Sequence, residues 1–151
     1  MINNKITVGI TQGDGNGIGY EVIIKALADQ RILDSFTPVI YGSSKVFGFY
    51  RKLIHNLDPL DTYVINSAKE ARLKKINILN CLPDNIFVEP GQSTPESAKS
   101  AITSLERAVA DLKGRRHRRA RDSPYQQEGD VFRRLRIHGP YGISQERVRR
   151  L

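Results

Sequence analysis

Lys5-Ile6-Thr7-Val8-Gly9-Ile10-Thr11-Gln12-Gly13-Asp14-Gly15-Asn16-Gly17-Ile18-Gly19-Tyr20-Glu21-Val22-Ile23-Ile24 is the stretch that decides the fold class. Lys5–Thr11 is short and largely apolar, which suits a strand buried in a parallel sheet. A glycine-rich turn, Gly13–Gly19, follows at once. From about Tyr20 to Gln30 a helix is expected, because Ile23 and Leu27 fall on one face with Ile24 and Ala28 beside them. Strand, tight turn and helix in that order open an α/β fold.

The pattern continues outward. Thr37–Gly42 reads as a second strand, and Ser43 or Ser44 can cap a helix carrying Val46, Tyr50, Leu53 and Ile54 at helical spacing. Shorter strand candidates lie at Thr62–Ile65, Ile76–Leu79 and Ile86–Val88. The clearest local signal is a later helix. Its start offers a capping box from Ser93 to Glu96, or Thr94 as cap with Pro95 in the first turn. Ala98, Ala101, Ile102, Leu105, Ala108, Val109 and Leu112 then recur every three or four residues, placing an apolar stripe on the core. Lys99, Glu106, Arg107 and Asp111 lie outside it. Alternation of strands and helices argues α/β.

After Lys113 this grammar stops. Residues 1–113 carry 13 Lys+Arg against 12 Asp+Glu, whereas residues 114–151 carry 11 against 4, and all 11 are Arg. The net charge of +8 therefore sits almost wholly in the tail. Strong aliphatics and Phe make up only 7 of its 38 residues, a composition expected to stay disordered or irregular. Two units are expected, 1–113 and 114–151. A basic tail of this kind also admits a nucleic-acid-binding protein that grips phosphates without sequence preference. Against that alternative, Tyr125, Phe132 and Tyr141 are too far apart for a stacking platform.

The chemistry-bearing residues are few. Backbone N–H groups at the start of a helix after a glycine turn favour a phosphate or carboxylate. The loop has no Gly-Lys-Ser/Thr, and it misses the dinucleotide spacing G-x-G-x-x-G. Counting from Gly13 the sixth residue is Ile18, and from Gly15 it is Tyr20. A structural turn and a ligand loop both remain open on spacing alone. His55 is expected near solvent, Cys81 as a small core residue, and His117 and His138 have no second ligand at metal spacing. A lone Cys81 cannot form an intrachain disulfide, which suits a reducing compartment and a cytoplasmic address. No apolar run is long enough to span a membrane.

Ile10–Ile23 resembles the opening of the 4-hydroxythreonine-4-phosphate dehydrogenase family, which follows its first strand with GDPAGIGPEI. A later run, Pro90-Gly91 and then the pattern S-A-x-x-A-x-x-x-L-E-x-A over Ser97–Ala108, is similar to the same family. Gly15 stands where the family has Pro, and Tyr20 where it has Pro before Glu21. Both replacements are expected to loosen the loop. The resemblance covers residues 1–113, and it implies an incomplete α/β/α layered fold of the isocitrate/isopropylmalate dehydrogenase-like architecture. It also implies a homodimer that uses NAD(P) and a divalent metal to oxidise and decarboxylate a phosphorylated hydroxy amino acid on the way to pyridoxal phosphate. Gly13, Asp14, Gly17 and Gly19 become a loop close to the active site. No catalytic residue and no metal ligand carries over, so this chain is expected to be inactive and to bind neither cofactor tightly.

Two motifs that should follow in the family, a strand ending TAPINK and a GHTE motif, are absent from the chain as read. A one-nucleotide shift of register recovers both. With suitable synonymous codons, Arg115–Arg119 shifts to V-D-I-D-A, Ala120–Gln127 to L-V-T-A-P-I-N-K, and Ile137–Ser144 to F-T-G-H-T-E-Y-L. Synonymous freedom makes one match cheap, but two family motifs in order within one continuous shifted frame are not. A frameshift near residue 114 is therefore expected, with the Arg-rich tail out of frame.

Overall fold

The computed structural model describes residues 6–119 and 135–136, with the backbone alone for 115–119 and 135–136. The chain runs β1 (Ile6–Thr11), α1 (Gly19–Leu27), α2 (Gln30–Ser35), β2 (Phe36–Gly42), α3 (Ser44–Leu53) and β3 (Thr62–Ile65). A single 3-10 turn (Ala68–Glu70), β4 (Ile76–Asn80), α4 (Pro95–Arg119) and β5 (Leu135–Arg136) follow. The strands lie in the order β3-β4-β2-β1-β5, and every pairing is parallel. The α/β class read from the sequence is the class observed.

Each face of the sheet has its own core. On one face Ile10, Ile40, Ile76 and Ile78 pack against Ile23, Ile24 and Leu27 of α1, Leu33 of α2, and Phe47 and Tyr50 of α3. On the other, Val39, Tyr41, Ile65 and Leu79 pack against Ala68 and against Ala108 of α4. The register Thr7↔Thr37, Gly9↔Val39, Thr11↔Tyr41 puts Thr7, Thr11 and Thr37 on this second face as well. The hydroxyls of Thr11 and Thr37 are buried there without a hydrogen-bond partner among the described residues.

Several boundaries differ from the sequence expectation, for local reasons. The first helix stops at Leu27, because Asp29 caps a separate helix by accepting from the Arg31 N–H at 3.0 Å. Ile86–Val88 is not a strand. Ile86 and Val88 instead pack from a loop onto the first core, leaving Phe87 80% exposed. Of the two capping options for α3, Ser43 is the one used, accepting from Val46 N–H. Of those for α4, Thr94 is used. Its hydroxyl accepts from Ser97 N–H at 3.1 Å, and the Ser97 hydroxyl accepts in return from Thr94 N–H at 3.4 Å.

α4 also differs in the face it buries. The buried positions of the helix are Ser97, Ser104 and Ala108, with Ala108 packed in the second core, whereas Ile102 is 56% exposed. Of the expected stripe, Ala108 is buried as expected and Ala101, Leu105, Val109 and Leu112 are half-buried, while Ala98 and Ile102 are exposed, so the larger aliphatics centre roughly 100° from the buried seat, one residue's rotation on a helix. Small residues let the helix approach a sheet face made partly of threonine. α4 also runs on through residue 113 to Arg119, so the expected boundary falls inside a helix, and Leu135–Arg136 pairs with Gly9 and Ile10. The remaining expectations for the tail, including His138, lie outside the described residues.

Candidate functional site: the glycine loop and its braces

Gly13–Ile18 joins the C-terminal end of β1 to the start of α1, the edge at which open parallel sheets bind ligands. Gly13 has φ +70°, a left-handed conformation that only glycine adopts without strain. Asp14 closes the turn twice, accepting from Asn16 N–H at 2.9 Å through its carboxylate and from Gly17 N–H at 3.1 Å through its carbonyl. Gly19 starts α1 directly over β1, and a Cβ there would sit 2.5 Å from the carbonyl oxygen of Gln12. The four residues expected at the site, Gly13, Asp14, Gly17 and Gly19, therefore lie together in the turn and at the helix start, where Gly13 is required by its φ, Gly19 by the close approach to Gln12, and Asp14 by its two hydrogen bonds.

Three braces hold this turn, and the motif pattern alone did not reveal them. Beneath it, the Tyr20 hydroxyl donates to Gln12 Oε1 at 2.5 Å and accepts from Ser43 N–H at 2.9 Å, with Tyr20 and Gln12 fully buried. This joins the ends of β1 and β2 to α1. Burial drives the Tyr20 pKa well above its usual value, with the Ser43 hydrogen bond pulling the other way, so it is a permanent neutral strut. Beside it, Tyr50 stacks on Tyr20 with ring centroids 5.7 Å apart and donates to the Gly15 carbonyl at 2.7 Å. Burial and then the nearby Asp14 charge raise the Tyr50 pKa too.

The third brace is Asn16. Its amide donates to Gln92 O at 3.1 Å and to Thr94 Oγ1 at 3.4 Å, its Oδ1 accepts from Glu89 N–H at 2.9 Å, and its carbonyl accepts from Gly91 N–H at 2.8 Å. One buried side chain thereby fastens the glycine loop to the segment leading into α4. At the two positions where the loop was expected to loosen, Tyr50 donates to the Gly15 carbonyl and Tyr20 is itself the strut. A signal was present in the sequence, since Gln12 and Asn16 are amides inside an apolar and glycine-rich run. Their partners lie up to 78 residues away, beyond what spacing can show.

Other sequence candidates stand apart. His55 is exposed just past α3, on the rim of a hollow of about 450 Å3 that Ile18, Lys25 and Leu53 also line. Lys25 there is paired with Glu21 at 2.5 Å on the helix surface. Cys81 is half-buried beside the second core, its thiol directed at Gly42 O. Burial pushes that thiol up to about 11, only partly opposed by Arg107, so it is a poor nucleophile near neutrality. Among the described residues no group of three His, Cys, Asp or Glu side chains is placed to hold a metal ion. No helix among them is long and apolar enough to cross a membrane.

Comparison with known proteins places this arrangement. A 4-hydroxythreonine-4-phosphate dehydrogenase from Bacteroides thetaiotaomicron is 43% identical over 114 residues, which are 75% of this chain and 30% of that protein. A D-threonate 4-phosphate dehydrogenase from Cupriavidus necator is 30% identical over 106 residues, 68% of this chain and 31% of that one. The crystal structure of a 4-hydroxythreonine-4-phosphate dehydrogenase from Burkholderia phymatum matches with a TM-score of 0.64 at 26% identity, covering 74% of this chain and 34% of that chain. The chain spans about a third of the length of these relatives. No family model matches it.

Proposed function

The chain belongs to the 4-hydroxythreonine-4-phosphate dehydrogenase family as an N-terminal part of it, and on that premise we propose that the complete protein is an NAD(P)- and divalent-metal-dependent dehydrogenase. Its substrate is a 4-phosphorylated hydroxy acid, whose hydroxyl is oxidised and whose carboxylate then leaves as carbon dioxide, in the synthesis of pyridoxal phosphate. Both relatives' names carry a phosphate at the same position, which supports that substrate class. The observation that carries the reading is the 43% identity over a segment whose glycine loop sits at the C-terminal edge of a parallel sheet. The working unit is a cytoplasmic homodimer.

In this reading Gly13, Asp14, Gly17 and Gly19 border the substrate, and their role is shape. The braces from Tyr20, Tyr50 and Asn16 hold the turn rigid, so no ordering is needed when substrate arrives. The described residues do not fit a divalent metal, since no ligand cluster exists among them, and the loop lacks a dinucleotide fingerprint. In this reading the chemistry is assigned to the part of the family's length that this chain does not span.

The second half of the proposal is that residues 114–151 are that following part read one nucleotide out of register. The support is the recovery of V-D-I-D-A-L-V-T-A-P-I-N-K and F-T-G-H-T-E-Y-L in one shifted frame. The 151-residue chain is then an enzyme's first lobe and turns over nothing by itself. Resequencing codons 105–150 tests the register. A gene corrected by one nucleotide is expected to yield metal-dependent NAD(P)H formation from 4-phosphohydroxythreonine, abolished by a chelator, while the chain as read yields none. NADH production by the chain as read would overturn the proposal.

A further inference from the structure

We propose that Asn16-Gly17 is a self-modification site: when the glycine loop parts from residues 89–94, the Gly17 nitrogen closes on the Asn16 side chain, and the converted residue no longer fastens the two together. The inference stands on the loop's own hydrogen bonds and is independent of the family reading.

The reaction needs only two groups that are adjacent in the chain, plus water. The Gly17 backbone nitrogen gives up its proton and attacks Cγ of the Asn16 amide. An N–Cγ bond forms, the Cγ–Nδ2 bond breaks, and Nδ2 leaves with the displaced proton as ammonia. Water then opens the succinimide ring at either carbonyl, leaving aspartate or its iso-aspartyl isomer at residue 16. Nothing is oxidised or reduced. Attack by a backbone nitrogen is ordinarily hindered by the side chain of the residue that owns it, and glycine has none. Asn16-Gly17 is the one Asn-Gly pair in the sequence. The fold itself does not demand glycine at 17: its φ is not positive, and a Cβ there would come no nearer than 3.4 Å to Asp14 O.

The closed loop holds the reaction off. The Gly17 N–H donates to Asp14 O at 3.1 Å. The Asn16 amide is engaged elsewhere, its Nδ2 donating to Gln92 O and Thr94 Oγ1 and its Oδ1 accepting from Glu89 N–H. Nucleophile and carbonyl carbon are thus tied to different partners. Opening is within reach, because residues 89–93 are all exposed, and among the described residues the hydrogen bonds that join 89–94 to the loop all run to Asn16. A segment held this way opens locally without global unfolding. Conversion is one-way. An aspartate at 16 has an acceptor oxygen where Nδ2 donated to Gln92 O, and two acceptors do not bond each other. The iso-aspartyl form also adds a backbone atom to the turn that Asp14 and Gly17 close.

The test follows residue 16 in the purified 151-residue chain, in mildly alkaline buffer with and without unfolding urea, by mass spectrometry of the tryptic peptide that holds it. Fragmentation of that peptide separates conversion at Asn16 from conversion at Gln12. In the folded chain conversion is expected to run about three- to a hundredfold slower than in urea, at a rate set by local opening. Thr94→Ala, which removes one partner of the Asn16 amide, should speed conversion of the folded chain about threefold and leave the rate in urea unchanged. Gly17→Ala should slow conversion at least about tenfold in both states. Amide exchange at Glu89 and Gly91 should quicken in step with the converted fraction. Equal rates with and without urea overturn the proposal, as does a folded chain still unconverted after about a hundred times the half-time in urea. So does a Thr94→Ala chain, folded by circular dichroism, that converts no faster, or a converted chain whose Glu89 amide exchanges as slowly as before.

Discussion

Replacing Tyr20 by Phe removes one oxygen from a site with no access to water, and the consequence can be worked from its neighbours. The hydroxyl donates to Gln12 Oε1 at 2.5 Å and accepts from Ser43 N–H at 2.9 Å, and Gln12 is 1% exposed. Leaving a buried group without its partner costs about 1–3 kcal/mol, so two such groups place Tyr20→Phe at about 2–6 kcal/mol of lost stability. With a urea dependence of about 1.5 kcal/mol per M for a unit of this size, the unfolding midpoint should fall by about 1.3–4 M. Far-UV circular dichroism against urea reads this directly. The same burial raises the folded tyrosine's pKa above its ordinary value. The native state therefore holds that proton more tightly than the unfolded state. The stabilisation is complete below pH about 10 and declines above it, and the Phe variant should lack that part of the decline. Tyr50→Phe is the comparison, since it loses the single bond to Gly15 O and should cost about 1 kcal/mol. A Tyr20→Phe midpoint within 0.3 M of the unaltered chain would refute the strut.

The other expectations concern single residues. Asn16→Ala should free the segment from Glu89 to Thr94, and backbone amide exchange at Glu89 should accelerate by at least about tenfold while β2 and β4 are unaffected. Thr37→Val exchanges an unpartnered buried hydroxyl for a methyl of the same shape and should stabilise the chain by about 0.5–1.5 kcal/mol, read as a higher urea midpoint. Cys81, with its thiol pushed up to about 11, should react with iodoacetamide at pH 8 about a hundredfold more slowly than free cysteine, and the rate should climb steeply above pH 10. A rate matching free cysteine would mean that the thiol is not held half-buried against Gly42 O.

Local features with a short physical reach were legible in the sequence. β1, the glycine turn and α1 follow from an apolar run, residues with no tolerance for a side chain, and a 3.6-residue period. The α4 start was legible to within one residue, with Ser93 and Thr94 both open as caps and Thr94 the one used. The α4 stripe was legible only in part, with Ala108 buried and Ile102 exposed, because periodicity says which residues share a face and not which part of it the sheet will take. The sheet face beneath α4 carries Thr7, Thr11 and Thr37, and a close seat over such a surface favours Ser97, Ser104 and Ala108 over the larger aliphatics. Ile86–Val88 read as a strand because it is apolar, yet it packs from a loop.

The sequence by itself determined that this chain is an α/β unit with a glycine turn between its first strand and helix, because those outcomes depend on neighbours within a few residues. Only the tertiary structure decided how that turn is held. Its braces are Tyr20 to Ser43, Tyr50 to Gly15, and Asn16 to the segment before α4, separated by 23, 35 and up to 78 residues. Contacts at such distances leave no period in the sequence. They exist because β1 and β2 lie side by side and bring their ends, and the loops beyond them, to one edge of the sheet.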